Sequence, residues 1–253
     1  MQAVILAAGY GSRLGHHTRE TPKALLKIGG RPIIFYTLET LRKNGIDDVV
    51  IVTGHKAFKI REYVKSFDIT FNFIHNSLYR RTNNIYSLYL AMKAVSNDFY
   101  IINSDVFFHP DIFEWLHMNR RRNLVLSVDT IKRLGKEEMK VKIQNGRVTR
   151  ISKEISPSDA DGEYIGIAKV HSRAIEDLRS HIDLVIERKG RRVFYEEAFQ
   201  SMIDYGCIVN FESTKGLPWI EIDTPTDLLV ARHRIYREIY GLRRRGRDKF
   251  YFF

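Results

Sequence analysis

The chain has 253 residues, 44% of them hydrophobic and 28% charged, enough to bury a sizeable core as one α/β domain or two small ones. Its formal net charge of +11 suits an acidic ligand, a nucleic acid or an anionic membrane surface without choosing among them. A single cysteine, Cys207, excludes an intramolecular disulfide and a cysteine-built metal cluster, which fits a reducing cytoplasm.

Val4, Ile5 and Leu6 form an apolar run without alternation, as expected of a strand buried on both faces of a parallel sheet, and the chain then turns at Gly9 and Gly11. Ile34, Leu38 and Leu41 predict a helix after Pro32 that stops at Asn44-Gly45. Strands follow at 48–52, 70–75, 99–103 and 123–128, separated by helices at 56–66, around Ile85, Leu88, Tyr89 and Met92, and at 111–119. Strands alternating with helices imply right-handed crossovers and a doubly wound, mostly parallel α/β sheet. Ligands of such sheets bind outside the carboxyl ends of the strands.

The pattern then changes. Asn145-Gly146, between 141–144 and 147–151, is a hairpin signal. A strand at 162–170, a helix at 194–205, short strands at 208–211 and 219–222 and a long helix at 224–240 complete the chain. We expect one domain: a nucleotide-binding half at 1–130, an acceptor-binding half at 131–223 built as a hairpin and lid on the same sheet, and a C-terminal helix with a basic tail at 224–253.

No charged n-region with a long apolar segment opens the chain, and no stretch reaches the about eighteen uninterrupted apolar residues of a spanning helix. Cytoplasmic location is the expectation. Arg120 to Arg122 and Arg243 to Arg245 with Arg247 read as solvated surface. The last of these, followed by Phe250 to Phe253, could also touch a membrane surface or a partner. Basic residues interleaved with aromatics on one face, as nucleic-acid binding needs, are not found.

The loop from Leu6 to Lys23 holds the densest chemistry. Glycines let successive N–H groups converge on a phosphate, Arg13 adds a planar fork and Lys23 a point charge. It is neither a Walker A loop nor a complete G-x-G-x-x-G, because positions 14 and 15 are Leu and Gly. Ser104-Asp105 and Asp223 each follow a predicted strand, where two carboxylates over a triphosphate would supply hard oxygen ligands for Mg²⁺. Asp223 could instead cap the following helix.

The string Ala7-Ala8-Gly9-x-Gly11-x-Arg13-Leu14, then Pro22-Lys23 and Gly29-x-Arg31-Pro32, resembles the signature of the nucleoside-triphosphate transferases that activate sugar and alcohol phosphates. The resemblance implies a Rossmann-like, GT-A-like fold and attack by an acceptor phosphate on the α-phosphorus, with pyrophosphate leaving. It makes Lys23 and Arg13 catalytic, Asp105 and Asp223 the metal ligands, and Leu6, Ala7, Ala8, Gly9, Gly11, Ser12, Gly54 and Ser104 part of the nucleotide site. Asn83, Asn84 and Ser87 lie where the family contacts the base. Asn83-Asn84-x-x-Ser87-Leu88 looks like the cytidylyltransferases acting on phosphocholine, inositol 1-phosphate and phosphonates. Asn and Ser can donate and accept to a base edge, although Asn84 could simply cap a helix.

Lys153, Glu163, Tyr164, Gly166, Tyr195 and Glu196 resemble the acceptor side, and each could equally be a residue that only meets solvent. A choline pocket would want an aromatic cage, and only Trp115 and Trp219 are present, so CTP and inositol 1-phosphate are the expected substrates. Phosphocholine, a sugar 1-phosphate, or a catalytically silent nucleotide-binding role are the alternatives.

Overall fold

The computed structural model describes residues 1–241; the arginine-rich and aromatic stretch at 243–253 lies outside the described residues. Strand β1 (Gln2–Ala7) leads through the glycine loop to α1 (His16–Arg19) and a small ribbon of β2 (Lys27–Ile28) and β3 (Arg31–Pro32). Next come α2 (Ile33–Lys43), β4 (Asp48–Thr53), α3 (Ala57–Val64), β5 (Thr70–His75), α4 (Asn84–Ala91), β6 (Phe99–Asn103), β7 (Val106–Phe108), α5 (Pro110–Met118) and β8 (Leu124–Asp129). The rest is β9 (Lys140–Gln144), β10 (Arg147–Ser152), β11 (Gly162–Val170), α6 (Ile175–Lys189), α7 (Glu196–Asp204), β12 (Val209–Ser213), β13 (Trp219–Glu221), α8 (Pro225–Val230) and α9 (Tyr236–Tyr240).

Within the described residues nine strands join in the order β5-β4-β1-β6-β11-β8-β12-β10-β9. The first four run parallel, and β11 is antiparallel to both β6 and β8. The absence of alternation in β1 has its reason in the layers on either side. Val4 and Leu6 pack with α4, α6 and α7, whereas Ala3 and Ile5 face α2, α3 and α5. The doubly wound expectation holds.

Three local features depart from the sequence reading. The longest helix among the described residues, α6, occupies a stretch assigned to no element; its Ile175, Leu178, Ile182 and Val185 fall at helical spacing but sit among charges. The predicted helix at 224–240 is interrupted by a π turn at Ala231–Ile235. Strand β13 pairs with β7, an element not expected, and this ribbon places residues 105 and 223 side by side. The hairpin reading is correct: Asn145 and Gly146 have φ of 50° and 72°, the pair of positive values a type I′ turn needs.

Strand β11 bends at Gly166. Its C-terminal half pairs with β6, while Gly162 and Glu163 pair with β9, and the register on β8 slips between Tyr164 and Ala168. Strands β11, β8, β12, β10 and β9 thereby close into a ring. Gly166 has φ of 81°, and a Cβ there would lie 2.6 Å from Asn103 Nδ2. Gly166→Ala should therefore destabilise the fold by about 1–3 kcal/mol. Differential scanning calorimetry would read this as a fall in Tm of roughly 2–4 °C per kcal/mol, and an unchanged Tm would show that the bend does not need glycine.

Candidate active site

At the carboxyl end of β1 the loop is held from behind. Gly11 adopts a left-handed conformation, φ 67°, and its carbonyl accepts from Thr18 Oγ1 at 2.8 Å. His55 Nε2 donates to Thr18 O at 2.8 Å and His55 N to Ala8 O at 3.2 Å, so one residue clamps both sides of the loop. Gly54 belongs to this clamp. A Cβ on it would meet Ala8 O at 2.5 Å, and it does not line the cavity in front.

That cavity, about 270 Å³, is lined by the loop residues Leu6, Ala7, Ala8, Gly9, Gly11, Ser12 and Arg13, with Lys23, Asn83, Asn84, Ser87, Ser104, Asp105 and Asp223. Apart from Gly54, the expected nucleotide, catalytic and metal residues all meet there. Asn76, Tyr79, Thr82, Asn103, Phe194 and Glu221 also line it and were not anticipated.

Lys23 is the hub. Its Nζ lies 2.6 Å from Asp105 Oδ2 and 2.7 Å from Asp223 Oδ1, and Arg13 reaches the other Asp223 oxygen at 2.7 Å. Burial opposes the ammonium, but Asp105, Asp223 and Glu221 overcome it and raise the Lys23 pKa. Burial likewise favours the neutral form of Asp223, and Lys23 and Arg13 outweigh it, leaving that pKa lowered. Glu221 keeps exposure across the residue as a whole, yet the atoms packed round its carboxyl, with Asp105 and Asp223, push it up to about 8.

Oxygens of Asp105, Glu221 and Asp223 lie within 4.8 Å of one another, and Asp105 Oδ1 is buried with no hydrogen-bond partner. Three carboxylates converging with one oxygen unspent form a donor set that fits a hard divalent cation. Glu221 is the ligand candidate that sequence reasoning missed; its signal is the alternation Trp219, Glu221, Asp223 along one strand edge. Asp223 does not cap α8. Thr224 does, in a capping box with Asp227, so the Asp223 carboxylate is left for the cavity.

Where the base contacts are expected, Asn83 rather than Asn84 caps α4, its Oδ1 accepting from Asn84 N at 2.8 Å. Asn84 Oδ1 accepts from Tyr195 N at 2.9 Å instead. The Asn76 amide is oriented by Leu78 N donating to its Oδ1, and its Nδ2 donates to Ser87 Oγ at 3.1 Å.

The residues expected on the acceptor side divide. Lys153 and Glu163 line a second cavity, about 620 Å³, which shares Arg13, Glu221 and Asp223 with the first. Tyr164, Gly166, Tyr195 and Glu196 line neither cavity. Tyr164 and Tyr195 are core residues bonded to each other at 2.9 Å, and Tyr195 donates to Asn103 Oδ1 at 3.3 Å beneath the first cavity. Glu196 is buried with Oε2 unpartnered, and burial pushes its pKa up to about 7. Aromatic faces beside the cavities already carry ammonium groups: Lys153 Nζ sits 4.9 Å from the Phe194 ring and Lys132 Nζ 4.9 Å from that of Trp219.

Comparison with known proteins adds a family. Residues 3–199 match the model of the MobA-like NTP transferase domain. The chain belongs to that family. It is a nucleotidyltransferase with a GT-A-like fold, as its motif and its mixed sheet lead one to expect. It is 27% identical to a CTP:phosphoglutamine cytidylyltransferase of Campylobacter jejuni, over 91% of this chain and 98% of that protein. It is 28% identical to a bifunctional IPC transferase and DIPP synthase of Aquifex aeolicus, over 91% of this chain but only 50% of that one, so the chain spans about half the length of this relative. A solved CTP:phosphocholine cytidylyltransferase of Streptococcus pneumoniae superposes with a TM-score of 0.72 at 25% identity, covering 89% of this chain and 95% of that one. No helix among the described residues of this nucleotidyltransferase is long and apolar enough to cross a membrane.

Proposed function

We propose that the protein transfers CMP from CTP to an alcohol phosphate, with inositol 1-phosphate the favoured acceptor, in a Mg²⁺-dependent cytoplasmic reaction that yields a CDP-alcohol and pyrophosphate. The observation that carries this reading is the single cluster of Lys23, Arg13, Asp105 and Asp223 around the glycine loop. A catalytically silent relative would have no reason to keep all four.

An oxygen of the acceptor phosphate bonds to the α-phosphorus, and the bond from that phosphorus to the bridging oxygen breaks as pyrophosphate departs. The acceptor is already an anion, so no general base is needed, and catalysis is positioning plus charge neutralisation. Lys23 would neutralise the α-phosphoryl group as charge builds there. Arg13, with 57% of its side chain exposed, has the reach for the leaving phosphates. Asp105, Asp223 and Glu221 would hold Mg²⁺, which when bound offsets phosphate charge.

Cytosine is favoured by Ser87. Its oxygen accepts from Asn76, leaving its proton to donate, and cytosine offers acceptors at N3 and O2 where uracil carries a proton on N3. An acceptor without fixed positive charge is favoured because the Phe194 and Trp219 faces are already taken by lysines. Relatives are named for choline phosphate and phosphoglutamine, so the acceptor is the point to test. Pyrophosphate release should be greatest with CTP among the four nucleoside triphosphates, and with inositol 1-phosphate over phosphocholine, phosphoethanolamine and glucose 1-phosphate. Equal release with UTP, or a preference for phosphocholine, would overturn the respective half of the proposal.

A further inference from the structure

The larger cavity runs from Arg13, Lys153 and Asp223 at one end to Lys132, Glu163 and Trp219 at the other. Trp219 and Glu221 lie two strand steps apart on one side of β13, about 7 Å, which puts the indole within a small substrate's length of the carboxylate cluster. This far end is tied together by hydrogen bonds. Asp129 Oδ2 accepts from Trp219 Nε1 at 2.7 Å, while its Oδ1 accepts from the backbone N–H groups of Ile131 and Lys132. Glu163 is held between Asp129 of β8 and Lys140 of β9 by the bent strand β11.

A buried carboxylate beside an indole face is a site for a cation. Glu163 is 4% exposed, and burial raises its pKa against the opposing pull of Lys132, so its charge depends on a positive partner. That partner comes from the chain itself: Lys132 Nζ lies 3.0 Å from Glu163 Oε2 and 4.9 Å from the Trp219 ring centre. With 46% of its side chain exposed, Lys132 is a tethered occupant and not a core residue.

We propose that Trp219 and Glu163 form a cation subsite in the acceptor cavity, and that Lys132 fills it, making Lys132 the residue that selects acceptors lacking a fixed positive charge. This rests on the nucleotidyltransferase reading above. A trimethylammonium acceptor must displace an ammonium already paired with Glu163, whereas a polyol phosphate, which has no cationic group, can leave it in place and use it as a hydrogen-bond donor.

Lys132→Met keeps the stem and removes the charge. The ratio of kcat/KM for phosphocholine to that for inositol 1-phosphate should rise by about tenfold or more in this variant. Adding Trp219→Leu should abolish the gain, which general loosening of the 130–139 loop would not produce. A second measurement needs no turnover: choline chloride titrated into Trp115→Phe protein, where Trp219 is the remaining tryptophan, should give saturable fluorescence quenching with Lys132→Met and little without it. An unchanged ratio, a gain that survives Trp219→Leu, or equal quenching in both proteins would each overturn the subsite. Should no acceptor release pyrophosphate while Lys132→Met gains choline binding, the reaction assigned above falls and the subsite stands.

Discussion

Lys23→Ala should lower kcat by about 10²–10³-fold, the usual cost of removing one preorganised charge-stabilising donor. The Lys23 side chain is 12% exposed, so water has little room to replace it. Its loss also leaves Asp105 and Asp223 facing each other without the ammonium that now separates them. In divalent-free buffer the variant should melt below the wild type, and added Mg²⁺ should raise its Tm by more than it raises the wild-type Tm. This arm distinguishes a lysine that sits in the charge cluster from one that merely packs. Near wild-type turnover in folded Lys23→Ala protein would remove Lys23 from the mechanism.

Asp223→Asn should raise the Mg²⁺ concentration needed for half-maximal activity by at least about tenfold, since even residues supporting a metal ligand typically cost 10–100-fold. The capping box supplies the control. Because Thr224 and Asp227 close α8 between themselves, Thr224→Ala should cost about 1 kcal/mol of stability and leave the Mg²⁺ titration where it was. If Asp223→Asn lowered Tm like a lost cap and left the metal titration unmoved, the ligand role would be wrong. Reversed behaviour of Thr224→Ala would point to the same error.

Much of the site was legible because its chemistry is local in sequence. The glycine loop, Arg13 and Lys23 lie within one short stretch, and Asp105 and Asp223 each follow an apolar strand. Glu221 was not legible, since a carboxylate in a strand is ordinary until β13 is known to lie beside β7. Helix α6 escaped because Glu176, Asp177, Arg179 and Asp183 interrupt its apolar stripe, which becomes a face only when laid on the sheet. Tyr164 and Tyr195 resemble acceptor contacts by their place in a motif. The structure shows their hydroxyls bonded to each other in the core, a contact between residues 31 positions apart that neither local sequence announces. Lys132 lay in a stretch with no periodicity at all, and only the fold sets it on Trp219.

The Lys23 contacts join parts of the chain that are far apart in sequence. Lys23 meets one partner 82 positions away and another 200 positions away. Pairing of β13 with β7 brings Glu221 and Asp223 to Asp105, so the three carboxylates and Lys23 together pin one end of the chain to the other at the mouth of the sheet.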